Sequence, residues 1–227
     1  MLDASLVDGI SIAKTVATAH GLALPAARRR SPGARLIKRI VDLVAAGAVL
    51  VLTAPLSLLV ALLIKLEDGG PVLFRQVRVG QHGVPFTLRK FRSMKVDAEA
   101  DTGPVWARPD DPRVTRVGRW IRKLRIDEIP QVWNVLRGEM SFVGPRPERP
   151  EFEATLRAAI PMYAQRHAVR PGITGWAQVN CPYAATVDDA RQKLEYDLQY
   201  LRDASVTGDL FIMLRTIRII LFGWGSR

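Results

Sequence analysis

Leu43-Val-Ala-Ala-Gly-Ala-Val-Leu-Val-Leu-Thr-Ala-Pro55-Leu-Ser-Leu-Leu-Val-Ala-Leu-Leu-Ile64 contains no charged side chain, and about twenty apolar residues suffice for a helix to cross a hydrocarbon core. Its reading decides the architecture. Arg28, Arg29, Arg30, Arg35, Lys38 and Arg39 precede it, and Lys65, Arg75, Arg78, Arg89, Lys90 and Arg92 follow it. A spanning helix leaves its basic side in the cytoplasm and a poorer side outside, and neither flank here suits export. Pro55, near the middle, lacks an N–H and clashes with the preceding turn, which favours a kink. The expectation is a re-entrant hairpin that enters one leaflet and returns, with both basic flanks on anionic headgroups. Asp42, at the start of the run, belongs at the interface, paired with Arg39 or Lys38; a helix-start acid near the positive dipole end reads equally well.

Working outward, the 227 residues suit one compact domain with appendages, and 48% hydrophobic residues are enough for a core. A net charge of +11 points to a polyanionic partner: nucleic acid, an anionic membrane face or a phosphorylated substrate. The single cysteine, Cys181, excludes an intrachain disulfide and every Cys-rich metal motif. Residues 1–27 lack the pattern of a secretory signal and read as a mobile tail or a loose helix ending at Pro25; within them Ser11-Ile-Ala-Lys14 matches a short nucleophile pattern by chance.

Beyond the turn signal Glu67-Asp68-Gly69-Gly70-Pro71, two β-like runs, Val72–Val77 and Phe86–Arg92, are joined through Gly80-Gln-His82-Gly83 and predict a hairpin. Strand periodicity would put Lys90 and Arg92 on one side, as a solvated face or a cationic one. Asp97, Glu99 and Asp101 read as a solvated loop, and His82 and His167 complete no zinc pattern. At the C-terminus, Leu210, Met213, Leu214, Ile217, Ile220, Leu221 and Trp224 form an apolar helical stripe, with Arg215, Thr216 and Arg218 off it. This helix reads equally as core or as an interfacial element ending in Phe222, Trp224 and Arg227.

Three blocks carry chemistry: Leu124-Arg125-Ile-Asp127-Glu128-Ile-Pro130, Phe142-Val-Gly-Pro-Arg146-Pro147, and Arg170-Pro-Gly-Ile-Thr-Gly175-Trp176-Ala-Gln178-Val. Locally, Asp127 and Glu128 read as acids at a helix N-terminus, where free N–H groups favour anions. Arg146 and Arg170 precede prolines, which stiffen the backbone and suit bidentate phosphate recognition or an extended exposed loop. Trp176 and Gln178 either meet a nucleoside or pack inside.

Together, and in this order, the blocks resemble the signature of the bacterial monotopic phosphoglycosyl transferases, over roughly Lys38 to Phe222. The resemblance implies transfer of a hexose phosphate from a UDP-sugar, glucose or galactose, to undecaprenyl phosphate, releasing UMP and initiating exopolysaccharide synthesis. It implies Asp127 as nucleophile, Glu128 as partner carboxylate, Mg²⁺ on Asp127 and Glu128, and phosphate or substrate contacts from Lys90, Arg92, Arg125, Arg146, Arg170 and Gln178. It also implies a kink at Pro55, usually preceded by serine where this chain has Ala54, with Thr53 or Ser57 as a substitute hydroxyl. The expected fold is α+β and helix-rich: a tail (1–34), a re-entrant membrane helix (35–68), a cytosolic catalytic domain with a small β-hairpin (69–204) and an amphipathic helix (205–227). The expected location is the cytoplasmic face of the bacterial inner membrane. A homo-oligomer is compatible with the sequence. Nucleic acid is not an expected partner, because a basic adaptor gives no reason for paired carboxylates amid pinned arginines. Walker-type and dinucleotide phosphate loops are absent.

Overall fold

A computed structural model describes residues 30–106, 110–181 and 186–222. The N-terminal tail with its Ser11–Lys14 pattern, and Trp224 and Arg227, lie outside the described residues. The described chain is helix-rich with two small sheets, an α+β arrangement.

Helix α1 (Pro32–Leu52) starts at Ser31, whose side chain caps Ala34 N, with proline in the first turn where its missing N–H costs nothing. Helix α2 (Ala54–Asp68) ends on Gly69 in the left-handed conformation. The two meet at a 60° bend at Thr53. Among the described residues no single helix is long and apolar enough to cross a bilayer, whereas α1 and α2 together have that length and composition. Thr53 Oγ1 donates to Val49 O at 2.7 Å, so threonine supplies the hydroxyl that Ala54 cannot.

Strands β1 (Leu73–Val79) and β2 (Pro85–Phe91) form the expected antiparallel hairpin, Leu73 opposite Phe91 and Val79 opposite Pro85. Arg92 corrects the strand-face reading. Its N–H still reaches across to Val72 O at 2.9 Å, but its guanidinium forks onto Asp68 and donates to Pro71 O at 2.6 Å. Arg92 is thus engaged at the end of α2, away from the carboxylates whose field Lys90 feels.

Helix α3 (Arg116–Lys123) leads through Arg125, at φ 57°, into a 3₁₀ turn (Ile126–Gln131) and the short helix α4 (Val132–Arg137). Strand β3 (Ser141–Val143) pairs in parallel with β4 (Gly172–Thr174), a sheet no local pattern predicts. A Cβ on Gly172 would meet Gly144 N at 2.2 Å, so the close crossing of these backbones depends on glycine. Helices α5 (Pro150–Ala159), α6 (Trp176–Asn180), α7 (Val187–Asp203) and α8 (Val206–Phe222) complete the chain, with a 3₁₀ turn (Tyr163–Ala168) after α5.

Among the described residues four small clusters form the core. Ala46 of α1 packs with Leu88, Val132, Val135 and Met140; Val60 and Ile64 of α2 pack with Phe91 and Ile121. Val143, Val179, Tyr200 and Ile212 form the third, and Leu156, Ile160, Tyr163 and Leu194 the fourth. Helix α8 divides the expected stripe differently. Ile212 is buried and Thr216 bonds Thr174 at 2.8 Å, while Leu210, Phe211, Leu214 and Ile217 stay exposed. An apolar face thus remains outward on a helix that is also a core helix.

The basic flank before the apolar run is partly internal. Arg30 donates to Asp209 at 2.8 Å; Lys38 bonds Asp42 at 2.7 Å and lies 3.2 Å from Asp209. Asp42 is 1% exposed and accepts from Ser141 Oγ and Phe142 N. Asp42 is thus paired with Lys38, as expected, but beneath β3 and α8. Arg39 donates to Val135 O and Leu136 O. A headgroup role for Arg30, Lys38 and Arg39 is replaced by a structural one, because buried carboxylates and helix-end carbonyls need those donors.

Asp42→Ala should lower stability by about 3–5 kcal/mol, since it removes the nearer of two carboxylates from a buried lysine and unpairs Phe142 N. Thermal unfolding in detergent measures it. Asp42→Asn, which keeps the acceptor, should lose less.

Candidate active site

Asp127 and Glu128 occupy the first turn of the 3₁₀ segment, aimed by the left-handed Arg125 that precedes it. A fully buried Asn134 on α4 fixes this turn against β2. Its Oδ1 accepts from Arg89 N at 3.2 Å and its Nδ2 donates to Thr87 O at 2.7 Å, so the carboxamide imitates a neighbouring strand on the free edge of β2. Lys90, the next residue on that edge, thereby reaches the electrostatic field of both carboxylates.

Glu128 receives the Arg146 fork, at 2.6 and 3.3 Å. The backbone behind that fork is pinned at successive carbonyls. Pro145 O accepts from Gly172 N at 2.9 Å, Arg146 O from Arg166 at 2.9 Å and Pro147 O from Arg78 at 3.0 Å. Proline on either side restricts Arg146 further, so its guanidinium starts from a stiff mount.

The two carboxylates are pushed apart in acidity. Burial, and then the negative charge of Glu128, raise the Asp127 carboxyl from 3.8 to about 6, against the pull of Lys90, Arg122 and Arg146. Burial opposes ionisation of Glu128 too, but the Arg146 charge and hydrogen bond, with Arg125 and Lys90, outweigh it and hold the group down at about 2. Lys90 is lowered to about 8, chiefly by burial, with Asp127 and Glu128 resisting and Arg78 and Arg146 assisting. Lys90 and Glu128 keep some accessible surface, but crowding by protein on most sides governs their acidity. Asp127 accepts no hydrogen bond from the described residues, so its lone pairs are uncommitted.

The donor set is compatible with Mg²⁺. This ion takes one or two carboxylates and completes its shell with water and substrate phosphate oxygens. Among the described residues no cluster of three carboxylate, imidazole or thiolate groups exists; the carboxylates the site offers are Asp127 and Glu128. Both Glu128 oxygens already face Arg146, which leaves Asp127 the freer ligand.

Of the sequence-predicted residues, Asp127, Glu128, Lys90, Arg125 and Arg146 come together. Arg92 does not. Nor does Arg170: it stands at the far end of α4, about 9 Å of helix rise away, where its guanidinium and that of Arg39 approach Gly138. Burial, and then the charge of Arg170, lower the Arg39 guanidinium's affinity for its proton. Gln178 Nε2 donates to Ile173 O at 2.8 Å and serves the β4–α6 junction, and Trp176 donates to Gln199 and packs beside Phe211. Glu99 receives both Nη atoms of Arg149, at 2.7 and 2.9 Å, and His167 lies 2.7 Å from Glu153 in the interior. Sequence reading missed Arg122 and Arg78. Hairpin register could have found Arg78, because it shares a face of β1 with Phe74, the residue opposite Lys90.

Comparison with known proteins gives a family. The family described as bacterial sugar transferase matches residues 33–223. A UDP-N-acetylgalactosamine-undecaprenyl-phosphate N-acetylgalactosaminephosphotransferase of Aeromonas hydrophila is 51% identical over 197 residues, covering 87% of this chain and 46% of that protein. An undecaprenyl-phosphate glucose phosphotransferase of Komagataeibacter xylinus is 49% identical, covering 82% of this chain and 36% of that protein. For a UDP-glucose:undecaprenyl-phosphate glucose-1-phosphate transferase of Caulobacter vibrioides the identity is 47%, with 82% and 70% covered. The chain thus spans less than half the length of the first two.

A carboxyl raised on folding contributes stability that is fully present below its unfolded value and fades as pH rises through its folded value. For Asp127 that window runs from 3.8 to about 6. Asp127→Asn should therefore be more stable than wild type at pH 8, by about 1–3 kcal/mol, with a smaller gain at pH 5. Denaturant midpoints at the two pH values measure it.

Proposed function

The chain belongs to the bacterial sugar transferase family, and on that premise we propose that it transfers a hexose 1-phosphate from a UDP-sugar to undecaprenyl phosphate through a covalent intermediate on Asp127. The observation that carries this reading is a buried carboxylate with uncommitted oxygens, set among Lys90, Arg122 and the Glu128–Arg146 pair.

An Asp127 oxygen attacks the phosphorus that carries the sugar; the new O–P bond forms as the bond to the UMP oxygen breaks, and UMP departs with that electron pair. Lys90 and Arg146 offset charge on the phosphoryl oxygens. An oxygen of undecaprenyl phosphate then attacks the same phosphorus and expels the Asp127 carboxylate. Glu128, kept ionised by Arg146, holds that guanidinium in place and orients the incoming phosphate through it. Mg²⁺, held by Asp127 and Glu128, would neutralise diphosphate charge and activate the phosphorus toward attack. Glucose and N-acetylgalactosamine, which appear in the names of the relatives, are the first donor sugars to test.

The same proposal makes α1 and α2 a re-entrant membrane element on the cytoplasmic face of the inner membrane. It is supported by the 60° bend and by the apolar exposure beside it, where Leu52 and Leu58 are 80% and 73% exposed. Such residues at the apex suit hydrocarbon, and the outward face of α8 suits the interface.

With donor and Mg²⁺ but no acceptor, wild-type protein should release one equivalent of UMP in a burst and gain the mass of a phosphosugar on the peptide bearing Asp127. Asp127→Asn should do neither, and near-normal turnover in that variant would overturn the nucleophile assignment. Because Asp127 must be ionised, kcat/KM should rise through about pH 6, and loss of the Lys90 proton should lower it above about pH 8.

Topology has its own check. Single cysteines at Ser31 and just beyond Gly70, in a Cys181→Ser background, should both react with an impermeant reagent only from the cytoplasmic side. Labelling from opposite sides would establish a span.

A further inference from the structure

We propose that Arg166, buried together with Asp197, is the positioning residue that holds Arg146 on Glu128. Arg166 lies in the Tyr163–Ala168 turn and spends every nitrogen of its guanidinium. Nη2 donates to the carbonyl of Arg146 at 2.9 Å and approaches Asp197 at 2.8 Å; Nε donates to Asp197 Oδ2 at 3.0 Å; Nη1 donates to Tyr163 Oη at 2.6 Å. Its plane also lies 5.0 Å from the centre of the Tyr163 ring. Asp197, on α7, is 1% exposed and Arg166 6%. The Arg146 side chain, by contrast, is 35% accessible and meets Glu128 at the site.

Two features argue for positioning over simple support. A buried ion pair is a poor route to stability, because desolvation offsets most of the attraction and a packed apolar pair of similar volume does as well. And the fork of Arg166 bonds the main chain of the very residue whose side chain acts, one step from the reacting groups. A guanidinium can tie that carbonyl, a carboxylate and a phenol in fixed directions at once; an ammonium cannot. The inference rests on Arg146 and Glu128 belonging to the reaction centre.

The test is a double-mutant cycle. Arg166→Met with Asp197→Leu replaces the pair by apolar groups, and this protein should keep its thermal midpoint within a few degrees while turnover falls on the order of ten- to a hundredfold, the scale of a misplaced catalytic group. In an Arg146→Lys background the same double replacement should cost less than about threefold, because there is no longer a fork to place. Equal losses in both backgrounds would overturn the proposal. A second readout needs no turnover. The guanidinium N–H signals of Arg146, followed by ¹⁵N NMR and identified by their loss in Arg146→Lys, should exchange faster with water once Arg166 is replaced; unchanged exchange would also overturn the proposal. If Arg146→Lys alone left turnover intact, the reading of the reaction centre would fall, while the exchange of the Arg146 guanidinium N–H groups in otherwise wild-type protein would still decide the positioning role. Should the double replacement not fold, Asp197→Asn is read by both methods with the same expectations.

Discussion

Asn134 is the contact on which the arrangement turns. Strand β2 has one edge occupied by β1, and a free edge inside a protein leaves N–H and C=O groups that must be satisfied. One carboxamide takes both, at Arg89 and Thr87, and Glu139 accepts from the same nitrogen at 2.6 Å. Because Asn134 sits a few residues after the carboxylates, satisfying β2 also sets the distance between Lys90 and the Asp127–Glu128 turn. An apolar side chain of the same volume would fill the space and leave three polar groups wanting, each costing about 1–3 kcal/mol. Secondary-structure accounting and the electrostatics of the site are thus met by one side chain.

The first helix is tied in just as firmly, through charge. Lys38, Asp42, Arg30 and Asp209 form a buried set that Tyr200 joins by donating to Asp209 at 2.9 Å. Asp42 reaches on to the main chain of β3. An apolar helix with one exposed face is therefore also part of the protein interior, and the strand it grips runs directly into the segment bearing Arg146.

Much of this was legible in the sequence because local chemistry determines it. The hairpin follows from β-like runs around a glycine turn, the bend from Pro55, and the carboxylate turn from two acids before a short helix. What escaped depends on contacts between distant segments. Period two could not show that Asp68, at the end of α2, would claim the Arg92 guanidinium. Arg170 looks like Arg146, since each precedes a proline, yet its guanidinium meets Gly138 beyond the C-terminal end of α4, and no local pattern tells which end of a helix an arginine will meet. The β3–β4 pair is three residues long on each side, too short to show a period. Arg122, Arg78 and Arg166 carry no motif; only assembly gives them neighbours.

The division of the core into four clusters, among the described residues, bears on how the site is assembled. The first two contain residues of α1 or α2, together with the hairpin and α4; the last two contain none from the apolar helices, and Phe142 touches both the first and the third. Asp127, Glu128 and Lys90 lie on the first half, Arg146 and Arg166 on the second. The Glu128–Arg146 pair is accordingly a clasp across a seam. Other ties cross the same seam: the Lys38–Asp42–Asp209 set, and the hairpin's bonds from Arg78 to Pro147 O and from Val79 N to Glu148 O. Carboxylate and arginine thus come from different parts of the core that are locked together on either side of the site, so the geometry of the pair is inherited from both rather than set by either alone.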